Sequence, residues 1–257
     1  TLFDKKTQEI GITGGEPTMS PRLVPVLKLI KKYNFRKVTL NTNASGMLKL
    51  VDGIPVYQHI IDCGVNHVNI SRHHWDENTI NDLMRFDHDP CTLDILKTII
   101  PKFLANHVRP RINCVILKDY IDSIDDCVQF IEYYRTLGIN NIVFRQMMEY
   151  NSSYVKNDEI VAFYKDNLQL VDDLWNTMDR DERFQRVKNI RGRYYYVEIW
   201  KYKDVDLVAE RASSMVKSRN LGFSEKDMVY EMIFHPAGTL TTGWYYKAGI
   251  LLDYPHE

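Results

Sequence analysis

A corner of four residues, Gly14, Gly15, Glu16 and Pro17, follows a short apolar stretch in this chain and leads into an amphipathic one. Two glycines let a ligand approach the backbone closely, the carboxylate of Glu16 accepts hydrogen bonds, and Pro17 has no N–H to give. Acceptors without donors suit an ammonium group. They do not suit a phosphate, which wants backbone N–H donors and a lysine at the helix start, nor a dinucleotide, whose fingerprint has its third glycine three residues after the second. A tight turn with a solvated glutamate is the competing reading of the tetrapeptide.

The elements that must hold this corner follow from periodicity. Residues 9–13, 36–42, 66–71, 111–117 and 140–147 are short runs rich in β-branched residues and read as strands. Helices fit between them. Leu23, Leu27 and Ile30 recur at helical spacing, with Ser20 as N-cap, Pro21 in the first turn and Pro25 as an awkward extra. Gly64 and Gly138 suit left-handed C-caps, and residues 76–86 and 92–107 fill the longer third connection. Such alternation calls for βαβ units and a parallel sheet, in which the loops after the strands' carboxyl ends share one face. Those ends are Gly14 to Pro17, Asn41 to Asn43, Ser71 to His74, Lys118 with Asp119, and Gln146. Five polar ends after five apolar strands predict a polar ligand site.

Composition narrows the class. A formal net charge of -1 argues against a wholly basic nucleic-acid binder and leaves room for a local basic patch. No stretch approaches the roughly 20 apolar residues of a membrane helix, so a cytoplasmic protein without membrane contact is expected. Cys63, Cys91, Cys114 and Cys127 are too few and too scattered for a disulfide framework or a zinc knuckle, and Cys114, in an apolar strand, and Cys127, in a helix, read as buried free thiols; no metal ligand set is predicted.

The run "ITGGEPTM" after a strand resembles the GGEP motif of radical S-adenosylmethionine (SAM) enzymes. Further strand ends are similar in the same order: "LNTNAS", "VNISRHH", "RPRINCVILKDY" and "INNIVFRQMM". The similarity runs from about residue 5 to residue 150 and is greatest to the branch holding GTP 3′,8-cyclase, viperin and the peptide-modifying maturases. It implies that Gly14, Gly15, Glu16 and Pro17 hold the SAM amine. Thr42 and Asn43 would lie near its methionyl or ribose part, Ser71 near the carboxylate or ribose, Asn113 at the ribose, and Met147 or Met148 beside the adenine. Each also has a plain structural reading: Asn43 as the cap of its own loop, Asn113 as part of a barrel layer, the methionines as core filling.

The resemblance also implies a [4Fe–4S] cluster held by three cysteines in a CxxxCxxC loop, with thiolates as its ligands. This sequence has no such triplet, and the loop, with the first βα unit, is expected upstream of residue 1. A cluster-less relative is the alternative. Where the family has Leu-Asp after the serine, this chain has Arg72, His73, His74 and Trp75. A histidine there could serve acid–base work or contact a substrate, or the segment could be a surface loop with a packed tryptophan. Arg145 replaces an apolar family residue and could face an anion.

After residue 150 the pattern changes. Residues 156–178 read as one helix, residues 187–203 as a hairpin turning at Arg191 and Gly192, and residues 228–247 as another turning at Pro236 to Gly238. Arg183, Arg186, Lys188, Arg191, Arg193 and Lys201 mix with Tyr194, Tyr195, Tyr196 and Trp200, a set suited to phosphates and stacked bases, or to a solvated hairpin with one aromatic face. His235 reads as a turn residue.

The fold expected is therefore α/β, a partial (β/α)₆ TIM-type barrel over residues 1–150 with a small α+β extension over residues 151–257 that binds substrate or caps the barrel. The activity implied by the resemblance is reductive cleavage of SAM to a 5′-deoxyadenosyl radical that abstracts hydrogen from a substrate. A nucleotide or nucleoside is the first choice of substrate, with Arg72, His73, His74, Arg145, Arg191 and Arg193 as candidate contacts and no catalytic residue assigned. An electron donor such as flavodoxin or ferredoxin is the implied partner, and nucleic acid is not favoured. Alternatives are a maturase acting on peptide or protein side chains, a non-catalytic SAM-binding relative, and an unrelated TIM-type enzyme using Glu16 as base.

Overall fold

The computed structural model describes residues 9–33, 35–86, 90–147, 158–191, 196–210, 232–243 and 247–253. The chain forms two compact units, Thr1–Lys217 and Ser218–Glu257. The first is built on one eight-stranded sheet. Its strands are β1 (Glu9–Ile12), β2 (Lys37–Thr42), β5 (His67–Ser71), β6 (Arg109–Ile116), β7 (Asn141–Gln146), β8 (Gln185–Arg191), β9 (Tyr196–Tyr202) and β10 (Val205–Glu210). A two-stranded hairpin, β3 (Leu50–Val51) with β4 (Ile54–Pro55), lies outside it. The sheet order is β1-β2-β5-β6-β7-β10-β9-β8. Every pairing from β1 to β10 is parallel, and β9 and β8 then add in antiparallel fashion. The expected partial barrel is thus present as an open, mostly parallel sheet with β1 and β8 as its edges.

Helices α1 (Leu23–Lys31), α2 (Val56–Asp62), α3 (Glu77–Met84), α4 (Leu93–Ala105) and α5 (Ile124–Arg135) occupy the crossovers. Leu96, Ile99, Ile100 and Phe103 of α4 recur at helical spacing and are buried, as are Ile124, Cys127, Phe130, Ile131 and Tyr134 of α5. They pack against the alternate strand residues Val38, Leu40, Val68, Ile70, Ile112, Cys114, Ile142 and Phe144, which are all in the same core cluster. The period of two sends the intervening residues to the opposite, open face: Asn41, Asn69, Ser71, Arg111, Asn113 and Asn141. Caps fix the helix ends, with a reciprocal Ser123–Asp126 capping box on α5 and positive φ at Gly64 and Gly138 behind α2 and α5.

Three expectations need correction. Helix α1 starts at Leu23, and Ser20 instead accepts from the Arg22 N–H through its hydroxyl and from the Leu23 N–H through its carbonyl. The later start puts Pro25 at the third helical position, where a missing N–H costs no intrahelical bond; a start at Pro21 would have put it inside the ladder. Residues 156–178 are two helices, α6 (Asp158–Asn167) and α7 (Asp172–Met178), because Leu168 leaves the helix to bridge Leu117 and the Asn167 carbonyl accepts the Lys118 N–H. Strand β10, not foreseen, turns off β9 at Lys203, whose φ is 52°, and pairs with β7, so the segment after residue 150 contributes three strands to the main sheet.

In the second unit β11 (Ile233–Phe234), β12 (Thr239–Thr241) and β13 (Ile250–Asp253) form an antiparallel sheet. Its turn has His235 where the sequence puts it, with the ring Nε2 2.9 Å from Thr241 Oγ1.

Candidate functional site

The parallel strands bring all five polar ends to one side of the sheet, its rim. Gly14 has φ 117°, a conformation side-chain-bearing residues rarely adopt, and a Cβ built at Gly14 or Gly15 would meet nothing within 4 Å. The corner is an open cradle. Among the described residues no hydrogen bond engages the carbonyls of Gly14 or Gly15.

Glu16 behaves differently from the free carboxylate the sequence suggests. It caps the short 3₁₀ turn Pro17–Met19, accepting from the Thr18 N–H at 2.9 Å and the Thr18 hydroxyl at 2.5 Å. The same oxygen takes the Thr42 hydroxyl, and Oε2 takes the Asn43 N–H at 2.6 Å. Glu16 is thus a clip that ties the corner after β1 to the loop after β2, and the acceptors left for an ammonium group are the glycine carbonyls. Thr18 completes the clip: its hydroxyl also accepts the Gly46 N–H at 3.0 Å, and a Cβ at Gly46 would lie 2.4 Å from the Thr18 carbonyl oxygen. Neither Thr18 nor Gly46 was singled out from sequence, although a hydroxyl two residues after a glutamate is a recognisable turn signal. Asn43 also does what its plain reading expects, its side-chain oxygen accepting the Ser45 N–H at 2.9 Å.

Further along the rim, Ser71 of β5 is in register with Asn113 of β6. Asn113 Oδ1 is buried without a hydrogen-bond partner, which leaves an acceptor waiting for a donor. Met147 is buried at the end of β7, while Met148 lies outside the described residues.

The "RHHW" segment divides. Arg72 alternates with Ser71 and His73, so its side chain enters the helix layer. It is fully buried, with Nε donating to the Tyr134 hydroxyl at 3.2 Å and Nη1 to the Cys91 carbonyl at 2.6 Å. The expectation of a substrate contact is corrected here: Arg72 anchors the loop before α4. The His74 Nδ1 accepts the Asp76 N–H at 2.9 Å and its ring stacks on Trp75, which makes it a loop cap. His73 remains on the open face, its Nδ1 accepting the Val115 N–H at 3.1 Å. Burial, then the adjacent Arg72 guanidinium, pushes its pKa down to about 4.

Arg145 is on the open face but is ion-paired with Glu210 of β10 at 2.8 Å. Arg111, two residues before Asn113, has Nε on Asn141 Oδ1 at 2.5 Å and no carboxylate partner among the described residues. Burial lowers its pKa, with Arg145 adding to the effect and Glu210 opposing it. Arg111 is thus a cation on this face, beside Asn113, without a carboxylate partner among the described residues, and the sequence reading passed over it.

Three cations of the basic hairpin and its approach are neutralised by carboxylates. Arg183 pairs with Asp181 and Asp125, Arg186 with Asp179 and Glu198, and Lys201 with Asp206. Trp200 is buried beneath the Arg186 guanidinium at 5.2 Å. This favours the solvated-hairpin reading over a stacking platform. Arg193 and the side chain of Arg191 lie outside the described residues.

No family model matches the chain. A probable GTP 3′,8-cyclase of Thermoplasma volcanium is 28% identical over 147 residues, 56% of this chain and 40% of that protein. A GTP 3′,8-cyclase of Clostridium perfringens is 29% identical over 169 residues, 65% of this chain and 49% of that protein. Among solved structures, Streptococcus suis SuiB bound to S-adenosylmethionine superposes with a TM-score of 0.52 at 14% identity, covering 91% of this chain and 49% of that one. The chain resembles the GTP 3′,8-cyclases in sequence and a SAM-binding enzyme in fold. It spans less than half the length of each of these relatives.

Of the two groups that the resemblance to radical SAM enzymes implies, the residues present fit one. The open Gly14–Gly15 cradle and the orphaned Asn113 oxygen match the amine and a hydroxyl of SAM. The cluster is another matter. All four cysteines are free and buried, and burial pushes Cys91 up to about 11 and raises Cys114 and Cys127 further. No group of residues that could hold a metal occurs among the described residues. Nor is any helix there long and apolar enough to cross a membrane.

Proposed function

We propose that this chain is the SAM- and substrate-holding part of a radical enzyme acting on a nucleotide-like anion. The observation that carries the SAM assignment is three acceptors without partners on one rim, the carbonyls of Gly14 and Gly15 beside the Glu16 clip and Asn113 Oδ1 on β6. The implied chemistry is reductive cleavage of SAM to a 5′-deoxyadenosyl radical and hydrogen abstraction. It draws on a [4Fe–4S] cluster that these residues do not ligate and on an electron donor such as flavodoxin or ferredoxin. What the chain's own residues do is orient SAM across the strand ends and hold a substrate beside it on the open face, out of bulk water.

For the substrate, the unpaired Arg111 supports an anion, and the resemblance to GTP 3′,8-cyclases supports a nucleotide. The segment after residue 150 serves this side of the site through β10, whose Glu210 neutralises Arg145 and leaves Arg111 as the anion contact.

Two titrations test the reading. The folded protein is expected to bind SAM by calorimetry, and a well-folded sample that takes up none overturns the assignment. In the presence of SAM, nucleoside triphosphates are expected to raise the melting temperature; protection by peptides alone would replace the nucleotide with a peptide side chain as substrate.

A further inference from the structure

The open face has a lower half, towards the amino ends of the strands, that the rim does not use. Below Ser71 and Asn113 the period of two continues through Asn69 and His67 on β5 and through Arg111 and Arg109 on β6, with His67 and Arg109 in register. Lys37 of β2 shares this face, and its charge, like those of Arg109 and Arg111, bears on the His67 imidazole. Burial first, then Lys37, Arg111 and Arg109, hold that ring below its ordinary pKa, and Glu9 alone opposes them. Glu9 is already engaged, ion-paired with Arg36 at 2.6 Å and with Lys37 at 3.3 Å. Among the described residues Arg109 has neither an ion pair nor a side-chain hydrogen bond, and Arg111 has only the Asn141 amide oxygen. Two guanidiniums beside an imidazole, with no carboxylate to answer them, are positive charge that the fold leaves to a ligand.

Their spacing says what shape of anion fits. At the rise of a strand, Arg111 starts about 7 Å and Arg109 about 13 Å below Asn113, so the pair follows an extended anion along β6. We propose that the lower open face is a polyphosphate track, in which Arg111 takes the phosphate nearest the nucleoside and Arg109 with His67 takes the terminal one. The proposal rests on the substrate being a nucleotide and adds its direction. The nucleoside lies beside SAM at the rim, where hydrogen abstraction needs it, and the phosphates trail towards the amino ends of the strands. A triphosphate fills the track, whereas a monophosphate reaches only Arg111.

The test is calorimetric titration of the full-length protein with nucleoside mono- and triphosphate, at saturating SAM and without divalent cations. The wild type is expected to bind the triphosphate at least about tenfold more tightly than the monophosphate. Arg109→Gln is expected to weaken the triphosphate about tenfold and to leave the monophosphate within about twofold, which abolishes the preference. Arg36→Gln removes the same charge from the Glu9 pair nearby, and is expected to change triphosphate binding less than about twofold. Equal losses in the two variants would show a general field effect and overturn the track, as would a wild type without the preference or an Arg109→Gln protein that keeps it. A folded wild type that binds SAM but no nucleotide overturns the nucleotide reading as well. Should the variants fail to fold, ¹⁵N-histidine spectra of the wild type decide. An anion beside His67 raises its pKa, so triphosphate is expected to shift the titration of His67 upward and monophosphate to leave it in place. A His67 titration unmoved by bound triphosphate overturns the proposal.

Discussion

The rim of β1, β2, β5 and β6 and the hairpin of β8 and β9 are both rich in polar and charged side chains, yet they use them in opposite ways. At the hairpin the arginines described have protein partners: Arg183 answers Asp125 and Asp181, Arg186 answers Asp179 and Glu198, and the aromatic Trp200 is core. On the rim and the open face, among the described residues, the glycine carbonyls, Asn113 Oδ1 and the His73 Nε2–H have no hydrogen-bond partner, and the Arg111 guanidinium has an amide but no carboxylate. Ligand-binding capacity follows from what the fold leaves unsatisfied, and a count of basic and aromatic residues does not report that.

The heaviest blow to the rim is Glu16→Ala. It strips the acceptor from four donors on two loops, at least one of them, the Thr42 hydroxyl, on a buried residue, and is expected to cost about 2–4 kcal/mol of stability. SAM affinity is expected to fall at least about 100-fold, because the cradle loses its tie to β2. Urea unfolding and calorimetry measure the two effects. A variant that unfolds earlier yet binds SAM normally would show that the clip serves the fold alone.

Next in size is an acid effect specific to the rim. His73 titrates near 4 when folded and near 6.5 when unfolded, so below pH 6.5 the unfolded chain takes up a proton that the folded one refuses. Stability attributable to this group is intact above pH 6.5 and is lost as the pH falls towards 4, by up to about 3 kcal/mol. The lowered Glu9 and Asp181 act in the same direction at lower pH, as their carboxylates protonate. The test is therefore the difference between wild type and His73→Gln in urea unfolding at pH 7 and pH 4.5. Parallel losses in the two proteins would contradict a buried neutral His73.

A smaller effect separates two arginines of the open face. Arg111→Ala is expected to weaken nucleoside triphosphate binding about tenfold, and Arg145→Ala less than about twofold, since Glu210 already neutralises the latter. Equal losses in equilibrium titrations would return Arg145 to the site.

Much of this contrast could be read from the chain before any coordinates. The strands announce themselves by β-branched runs with period two, and the parallel order then places their ends together. That alternation even carries the fate of Arg72: standing between Ser71 and His73, it faces the helices, where it meets Tyr134 and the Cys91 carbonyl. What was hidden depends on distant partners. Asp125 of α5 is 58 residues from the Arg183 it neutralises, and Asp179 meets Arg186 only once the chain has turned from α7 into β8, so the hairpin looked like a phosphate site. The pairing of β10 with β7 is likewise non-local, and it brings Glu210 onto Arg145. Thr18 and Thr42 converge on Glu16 only once two loops have folded, which is why the carboxylate looked free.

The least effect is expected from the most basic-looking residue. Arg183 makes two carboxylate contacts, at 2.7 Å to Asp181 and 2.8 Å to Asp125, and these hold its guanidinium well above the usual arginine range. Its side chain is 44% exposed, so water and salt screen both pairs, and exposed ion pairs contribute about 0–1 kcal/mol each. Arg183→Ala is therefore expected to cost less than about 1 kcal/mol in urea unfolding, a loss that 1 M salt reduces further. Affinity for SAM and for nucleoside triphosphate is expected to stay within about twofold of wild type, because the removed charge was already spent on its neighbours. A tenfold loss of triphosphate affinity in Arg183→Ala would mean that a ligand phosphate displaces Asp125, and that the hairpin belongs to the site after all.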